Sequence, residues 1–437
     1  MNFNKTKLAT AIGTAALAMS LSAPANAVVV GGDGGWEVSF TGTINLFYNQ
    51  IDSETTVGGV PAALGDFAGQ INEDSAHLNE GLLPAFFTFK AVSPTVNGLT
   101  GTAQISFAPD SHNSKATRND KGGSAIDMRE VFFNVDGSFG TISAGRTLGL
   151  FQRQAILKDQ TLFGVGAVAG TDGGGTTLGR IGYGYVYPEF RTRFAYKTPN
   201  INGFQLEVGV FDPQEPLLGT GTFETDTPQF QAEATYNTTF QGGTFGVWVG
   251  GLWQEMELIV APAAGDDEVT QAGWNVGADV GFGGFNIVGS YYDGEALGTD
   301  FKMANIATVA NGGSVLGAAG GSGLFGASGY LCTTALGCSE ADTDGFYVQG
   351  SYTFAGKTKV AVSYGESNQD DEAAGALSFN EVEHEMWTVG VYHDVTSWLK
   401  VVAEYNDYEQ EATAPTTGAP IDGLEGDVFS VGGFIFW

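Results

Sequence analysis

The sequence predicts an all-β fold, a transmembrane antiparallel β-barrel of about 16 strands with short turns at one end and long loops at the other. Three observations predict it. After residue 27 the chain shows repeated segments of about ten residues in which apolar and polar side chains alternate, the period of a strand with two unlike faces. The connections between these segments alternate between short and long. Helical periodicity is nearly absent, and no stretch after residue 27 approaches the roughly 20 apolar residues of a membrane helix.

The first 27 residues stand apart from this pattern. Lys5 and Lys7 form a positive region, Leu8 to Met19 an apolar core, and Ala25-Asn26-Ala27 a small-residue cleavage site. This is the pattern of a secretory signal, expected to be removed after Ala27. Its loss takes away two positive charges and moves the net charge from −31 to −33. The barrel is then expected over residues 28–437.

The first strand reads WEVSFTGTINLFY, residues 36–48. One face carries Trp36, Val38, Phe40, Ile44, Leu46 and Tyr48, and the other Glu37, Ser39, Thr41, Thr43 and Asn45. In 228–236, Phe230, Ala232, Ala234 and Tyr236 oppose Gln229, Gln231, Glu233 and Thr235. In 345–354, Phe346, Val348, Tyr352 and Phe354 oppose Tyr347, Gln349, Ser351 and Thr353. The last strand, GDVFSVGGFIFW over 426–437, sets Phe429, Val431, Ile435 and Trp437 on one face and closes against the first.

Short connections carrying turn residues are expected at 94–99, 136–138, 199–203, 241–243, 281–284, 355–357 and 394–397. Long ones are expected at 51–83, 109–124, 148–188, 213–227, 257–268, 294–342, 367–381 and 411–425. Seven short and eight long connections make 16 strands with both termini at the short-turn end. A soluble sandwich also alternates its faces, but it gives no reason for this asymmetry of loop length. Eight-stranded barrels fill with side chains, whereas sixteen strands leave an aqueous channel.

Composition narrows the function classes. The chain has 66 glycines, 12% aromatic and only 15% charged residues, against roughly 25% charged in ordinary globular domains. Its 49 acidic and 18 basic residues exclude a phosphate-binding role toward nucleic acid. They also disfavour docking on an anionic lipid surface. Only four histidines occur; His77 and His112 fall in expected loops and His384 and His393 near the ends of one strand. None stands in a nucleophile–base setting, so hydrolysis is the weaker reading. No cofactor motif is present. The two cysteines, Cys332 and Cys338, sit six apart and predict a small disulfide-closed loop, since a metal site would need more ligands.

Two hairpins resemble those of Gram-negative general porins. MREVFFNVDGSFGTISAGR, 128–146, is similar to the family's strand, tight Gly-Phe-Gly turn and strand ending in Gly-Arg. RFAYKTPNINGFQLEVGVF, 193–211, is similar to its Tyr-x-Ser/Thr-Pro turn followed by Gly-Phe. The resemblance implies an outer-membrane homotrimer in contact with lipid and lipopolysaccharide, and passive diffusion of small hydrophilic solutes. It also implies a third long loop narrowing the pore and a terminal aromatic, here Trp437 where the family has Phe, read by the barrel-assembly machinery. The Pro-Glu-Phe-Gly-Gly element found within that loop in many relatives is absent from 148–188.

Within this frame the loop acids are Asp159 and Asp172, and the wall cations are expected opposite them. In EFRTRFAYK, 189–197, alternation turns Phe190, Phe194 and Tyr196 to lipid and Arg191, Arg193 and Lys197 to the lumen. An Arg at the lipid midplane would cost about 2–4 kcal/mol. Lys90 faces inward by the same parity from Phe87 and Phe89, and Arg129 matches the family's position. A positive wall and negative loop would set a transverse field. Acidic clusters at 266–268, at 370–372 and at Glu409 and Glu411 lie near the predicted mouth, and with the net charge they predict weak cation selectivity. A sugar- or carboxylate-specific channel is the alternative.

Overall fold

A computed structural model describes residues 28–32, 34–57, 74–109, 111, 126–168, 176–213, 223–298, 329–333, 337–370, 381–413 and 420–437. The signal segment and Asp172 lie outside them.

Sixteen strands form one closed antiparallel wall. In chain order they are β1 Glu37–Val57, β2 Phe86–Val92, β3 Thr100–Pro109, β4 Ile126–Gly137, β5 Gly140–Leu148 and β6 Phe190–Lys197. β7 Phe204–Phe211, β8 Gln229–Phe240, β9 Gly243–Leu258, β10 Glu268–Phe282 and β11 Phe285–Glu295 follow. β12 Asp342–Phe354, β13 Thr358–Asp370, β14 Glu381–Asp394, β15 Leu399–Thr413 and β16 Pro420–Phe436 complete the wall. Each strand pairs with the next, and β16 pairs with β1 from Thr43↔Phe436 to Val57↔Asp422. Closure leaves the barrel without an edge in lipid.

Alternation is realised as two faces. Ile44, Leu46 and Tyr48 are exposed on the outside, while Asn45 and Asn49 point inward and are buried. All seven short connections form as expected. Two of them show why: Asn97-Gly98 and Asn202-Gly203 sit at positive φ, and the flanking residues exchange backbone hydrogen bonds. Asn-Gly supplies the left-handed conformations that a two-residue hairpin turn demands.

Strands run past their expected ends on the long-loop side. β1 continues to Val57, β13 to Asp370, β15 to Thr413, and β16 begins at Pro420. Above the lipid both faces meet water, so hydrophobic alternation fades while backbone pairing continues. Residues 74–79, expected in a loop, form the strand Asp74–Asn79 and pair with the upper half of β1. β2 takes the lower half. Between them residues 80–85 leave the wall and turn inward, where Leu82 N donates to Gly164 O at 3.1 Å. The expected loop 294–342 also contains an unforeseen ribbon, Tyr330–Thr333 against Gly337–Glu340. Among the described residues no helix is long and apolar enough to cross a membrane; this wall crosses with strands.

Candidate functional site

The connection from β5 to β6 does not stay outside the barrel. Its Leu150, Phe151, Ile156, Leu162, Val165, Tyr183, Tyr185 and Val186 are all buried. An apolar set of this size would be exposed in an outer loop, and burial against the inner wall removes it from water. There it meets inward aromatics: Phe163 packs edge-on against Phe434 and Phe436, and Phe47 joins the same cluster. One short helix, α1 Arg153–Lys158, forms within the loop.

Buried backbone groups need partners, and inward polar side chains of the wall supply them. Gln231 of β8 accepts from Leu150 N at 2.7 Å and Phe151 N at 3.0 Å. Glu404 of β15 accepts from Val165 N at 2.9 Å and Gly166 N at 2.7 Å. Gln349 of β12 accepts from Gln160 N at 2.6 Å, and Ser367 of β13 from Gly184 N at 2.9 Å. A Cβ on Gly164 would collide with the Glu404 carboxylate, so the loop passes here only as glycine. These anchors, on strands far apart around the wall, stretch the loop across the lumen.

Charge fixes the helix. Arg153 Nη2 donates to Glu207 Oε2 at 2.8 Å and to Glu233 Oε1 at 2.5 Å. Burial works against its charge, but the two carboxylates overcome this and raise its pKa. Lys158 Nζ donates to Asp279 Oδ1 at 2.6 Å. Arg180 is wholly buried and donates to Thr388 Oγ1 and the Met386 carbonyl.

The sequence-predicted residues fall in different settings. Lys90 faces inward, between Ser39 and Gln104 in register, and is partly exposed. Arg129 is the extra residue of a β-bulge, because the step from Met128 to Glu130 opposes the single step from Phe107 to Ser106. The bulge decides what parity left open: the side chain turns inward, with Nη1 donating to Tyr187 OH at 3.0 Å and Nε paired with Asp127 at 2.7 Å. Arg191 pairs with Glu189 at 3.2 Å and donates to the Asp212 carbonyl. Arg193 is buried against Glu207 at 3.0 Å, so it is neutralised within the ion network and offers little field to the lumen.

Asp159 is buried as well. It accepts from Thr161 N, Tyr185 OH and Gln349 Nε2, holding the loop together and to the wall. Burial, and then Asp159, push the Tyr185 phenol well above its ordinary pKa, so it remains a neutral donor. Phe190 departs from its expected lipid-facing place. It begins β6 directly after Glu189, whose φ is 55°, and its ring lies 5.5 Å from the Arg129 guanidinium.

The ribbon register sets Cys332 opposite Cys338, and Cys338 N donates to Asp266 O at 2.7 Å at the mouth. Trp437 exchanges backbone hydrogen bonds with Gly42, and its ring packs against Phe40 and Phe87. Sequence reading missed Arg153, Lys158 and Arg180 as anchors. For Arg153 and Lys158 the signal available was their complement, the inward acids Glu207, Glu233 and Asp279, of which Glu207 already has Arg193 on the neighbouring strand.

A closed sixteen-strand wall with apolar outside, polar inside and a loop folded into the lumen defines an outer-membrane β-barrel channel. A profile for Gram-negative porins matches residues 13–413, and the chain belongs to that family. It is an outer-membrane channel for passive diffusion. Among solved structures, the outer membrane channel DcaP of Acinetobacter baumannii is similar at 14% identity and TM-score 0.60, over 93% of this chain and 99% of that one. The anion-selective porin from Comamonas acidovorans is similar at 13% identity and TM-score 0.55, over 92% and 100%. OmpT of Vibrio cholerae, folded in vitro, is similar at 16% identity and TM-score 0.53, over 94% and 100%. At these identities the likeness shows the fold. No curated protein sequence matches the chain.

Proposed function

We propose that the chain is exported by cleavage after Ala27 and works without catalysis as a homotrimeric, weakly cation-selective diffusion channel. The loop between β5 and β6 sets its bore. The observation that carries this is the anchoring of that loop to strands from β7 round to β16, which narrows the lumen at one level.

Selectivity is assigned to the mouths rather than the constriction. Inside, Arg153, Lys158 and Arg193 pair with wall acids, while Arg180 and Lys359 donate to neutral oxygens. The surplus of 49 acidic over 18 basic residues therefore lies outside the lumen, where it concentrates cations within a Debye length of about 8 Å. A reversal potential across a KCl gradient reads this directly; anion preference would reject it.

Three features support a homotrimer through the face of β1 to β6. Strands β2 to β7 are shorter than β8 to β16 on average, which lowers the wall on that side. Phe40, Phe87, Phe89, Phe107 and Trp437 form one aromatic cluster on its outer surface. Arg146 is exposed on the outer face, in register with Val131 and Thr192. In lipid it would cost about 2–4 kcal/mol at the midplane; a neighbouring subunit gives it a polar partner. OmpT of Vibrio cholerae, similar in fold, has a structure in a trimer form. The facing pair Cys332 and Cys338 is assigned a disulfide that staples the ribbon at the mouth, and Trp437 the role of assembly signal.

A further inference from the structure

Between α1 and the inner wall of β1, β2 and β4 lies a cavity of about 80 Å³. Its floor and sides are apolar, formed by Leu83, Phe86, Ile156 and Leu162. Its polar lining residues are Thr41, Thr43, Thr88, Arg129 and Tyr187. Thr43 is only 7% exposed, and its hydroxyl has no hydrogen-bond partner. Arg129 lines the cavity beside Tyr187. Of its five N–H donors, one on Nη1 goes to Tyr187 and Nε is ion-paired with Asp127 without a hydrogen bond, so other Nη donors are kept for a ligand oxygen. No acidic side chain lines the cavity among the described residues, in a chain with 49 acids against 18 basic residues.

A small apolar pocket with a few convergent polar groups is the form of a ligand site, and here the one ionised lining group, Arg129, is a cation. We propose that this cavity is a subsite for a short-chain aliphatic carboxylate. The tail fills the Leu83–Ile156–Leu162 end, and the carboxylate reaches Arg129 and the Thr43 hydroxyl. The volume is about half that of a 150 Å³ apolar cavity that takes benzene, so the tail is limited to a few carbons. Lys90 lies two residues along β2 from Thr88, on the same inward face, and continues the cationic track toward the short-turn mouth. The subsite acts at contact range, inside the screening length over which the acidic mouths select ions. It rests on the reading of the chain as a channel.

The test is recording in a planar bilayer with the purified mature protein, KCl on both sides, and added acetate, propionate, butyrate, octanoate or 1-butanol. Saturable reduction of the KCl current is expected for the short carboxylates. It should strengthen about fourfold per added methylene from acetate to butyrate, the worth of a buried CH₂, and fall away at octanoate. Butanol should not block. Arg129→Gln should weaken the butyrate block tenfold or more, Arg129→Lys should restore part of it, and Thr43→Val should weaken it severalfold while keeping shape. A normal KCl current with no saturable block, or equal block by 1-butanol, overturns the subsite and leaves the channel standing. Absence of any KCl current overturns both.

Discussion

Arg153 Nη2 donates to Glu207 Oε2 at 2.8 Å, joining a loop helix to a wall strand 54 positions away in sequence. Both side chains are almost wholly withdrawn from solvent. Replacing Arg153 with Met removes the cation, leaving Glu207 with Arg193 alone and Glu233 without its ion pair. Breaking a buried pair from one side costs about 3–5 kcal/mol. The expected outcome is a lower temperature for loss of the folded, heat-modifiable band, together with noisier single-channel current. A variant with unchanged melting and quiet current would show that the ion network does not hold the loop.

Deletion of Trp437 removes the backbone exchange with Gly42 and the ring contacts with Phe40 and Phe87. The amount of folded barrel in the outer membrane should fall severalfold, while refolding in detergent should be affected less. Normal insertion in cells would reject the assembly role.

The architecture was legible because a barrel strand writes its orientation in period two. Phe230 against Gln231, or Val348 against Gln349, states which side is lipid without knowledge of the partner strand. Turns such as Asn97-Gly98 are equally local. The site was less legible, because its contacts join residues far apart in sequence. Parity placed Arg193 inward, but nothing along the chain shows that it meets Glu207, or that Arg153 completes the group. Asp159 read as a constriction acid because loop acids in water are charged and free; its burial follows from apolar neighbours that pull the whole segment inside. Arg129 needed a one-residue bulge, which changes the parity of everything beyond it.

Cys332→Ser should leave barrel melting unchanged, because the ribbon lies at the mouth and outside the wall ladder. Limited chymotrypsin should then cleave near Tyr330 or Leu336 faster than in the parent protein. Equal cleavage rates would mean that packing alone secures the ribbon.

Arg146→Ala should shift the protein from an SDS-resistant oligomer toward folded monomer, since it removes the outward charge for which the proposed neighbouring subunit supplies a polar partner. Native mass measurement in mild detergent reads the shift. An undiminished oligomer would remove Arg146 from the interface.

The central claim is that the loop between β5 and β6, stretched across the lumen, sets the bore of a trimeric channel. Single-channel recording of the mature protein beside a version with residues 152–187 replaced by a short Gly-Ser link tests it most directly. Current steps arriving in threes are predicted for both, with conductance per step severalfold larger in the shortened protein. Equal conductance in the two proteins would contradict the account.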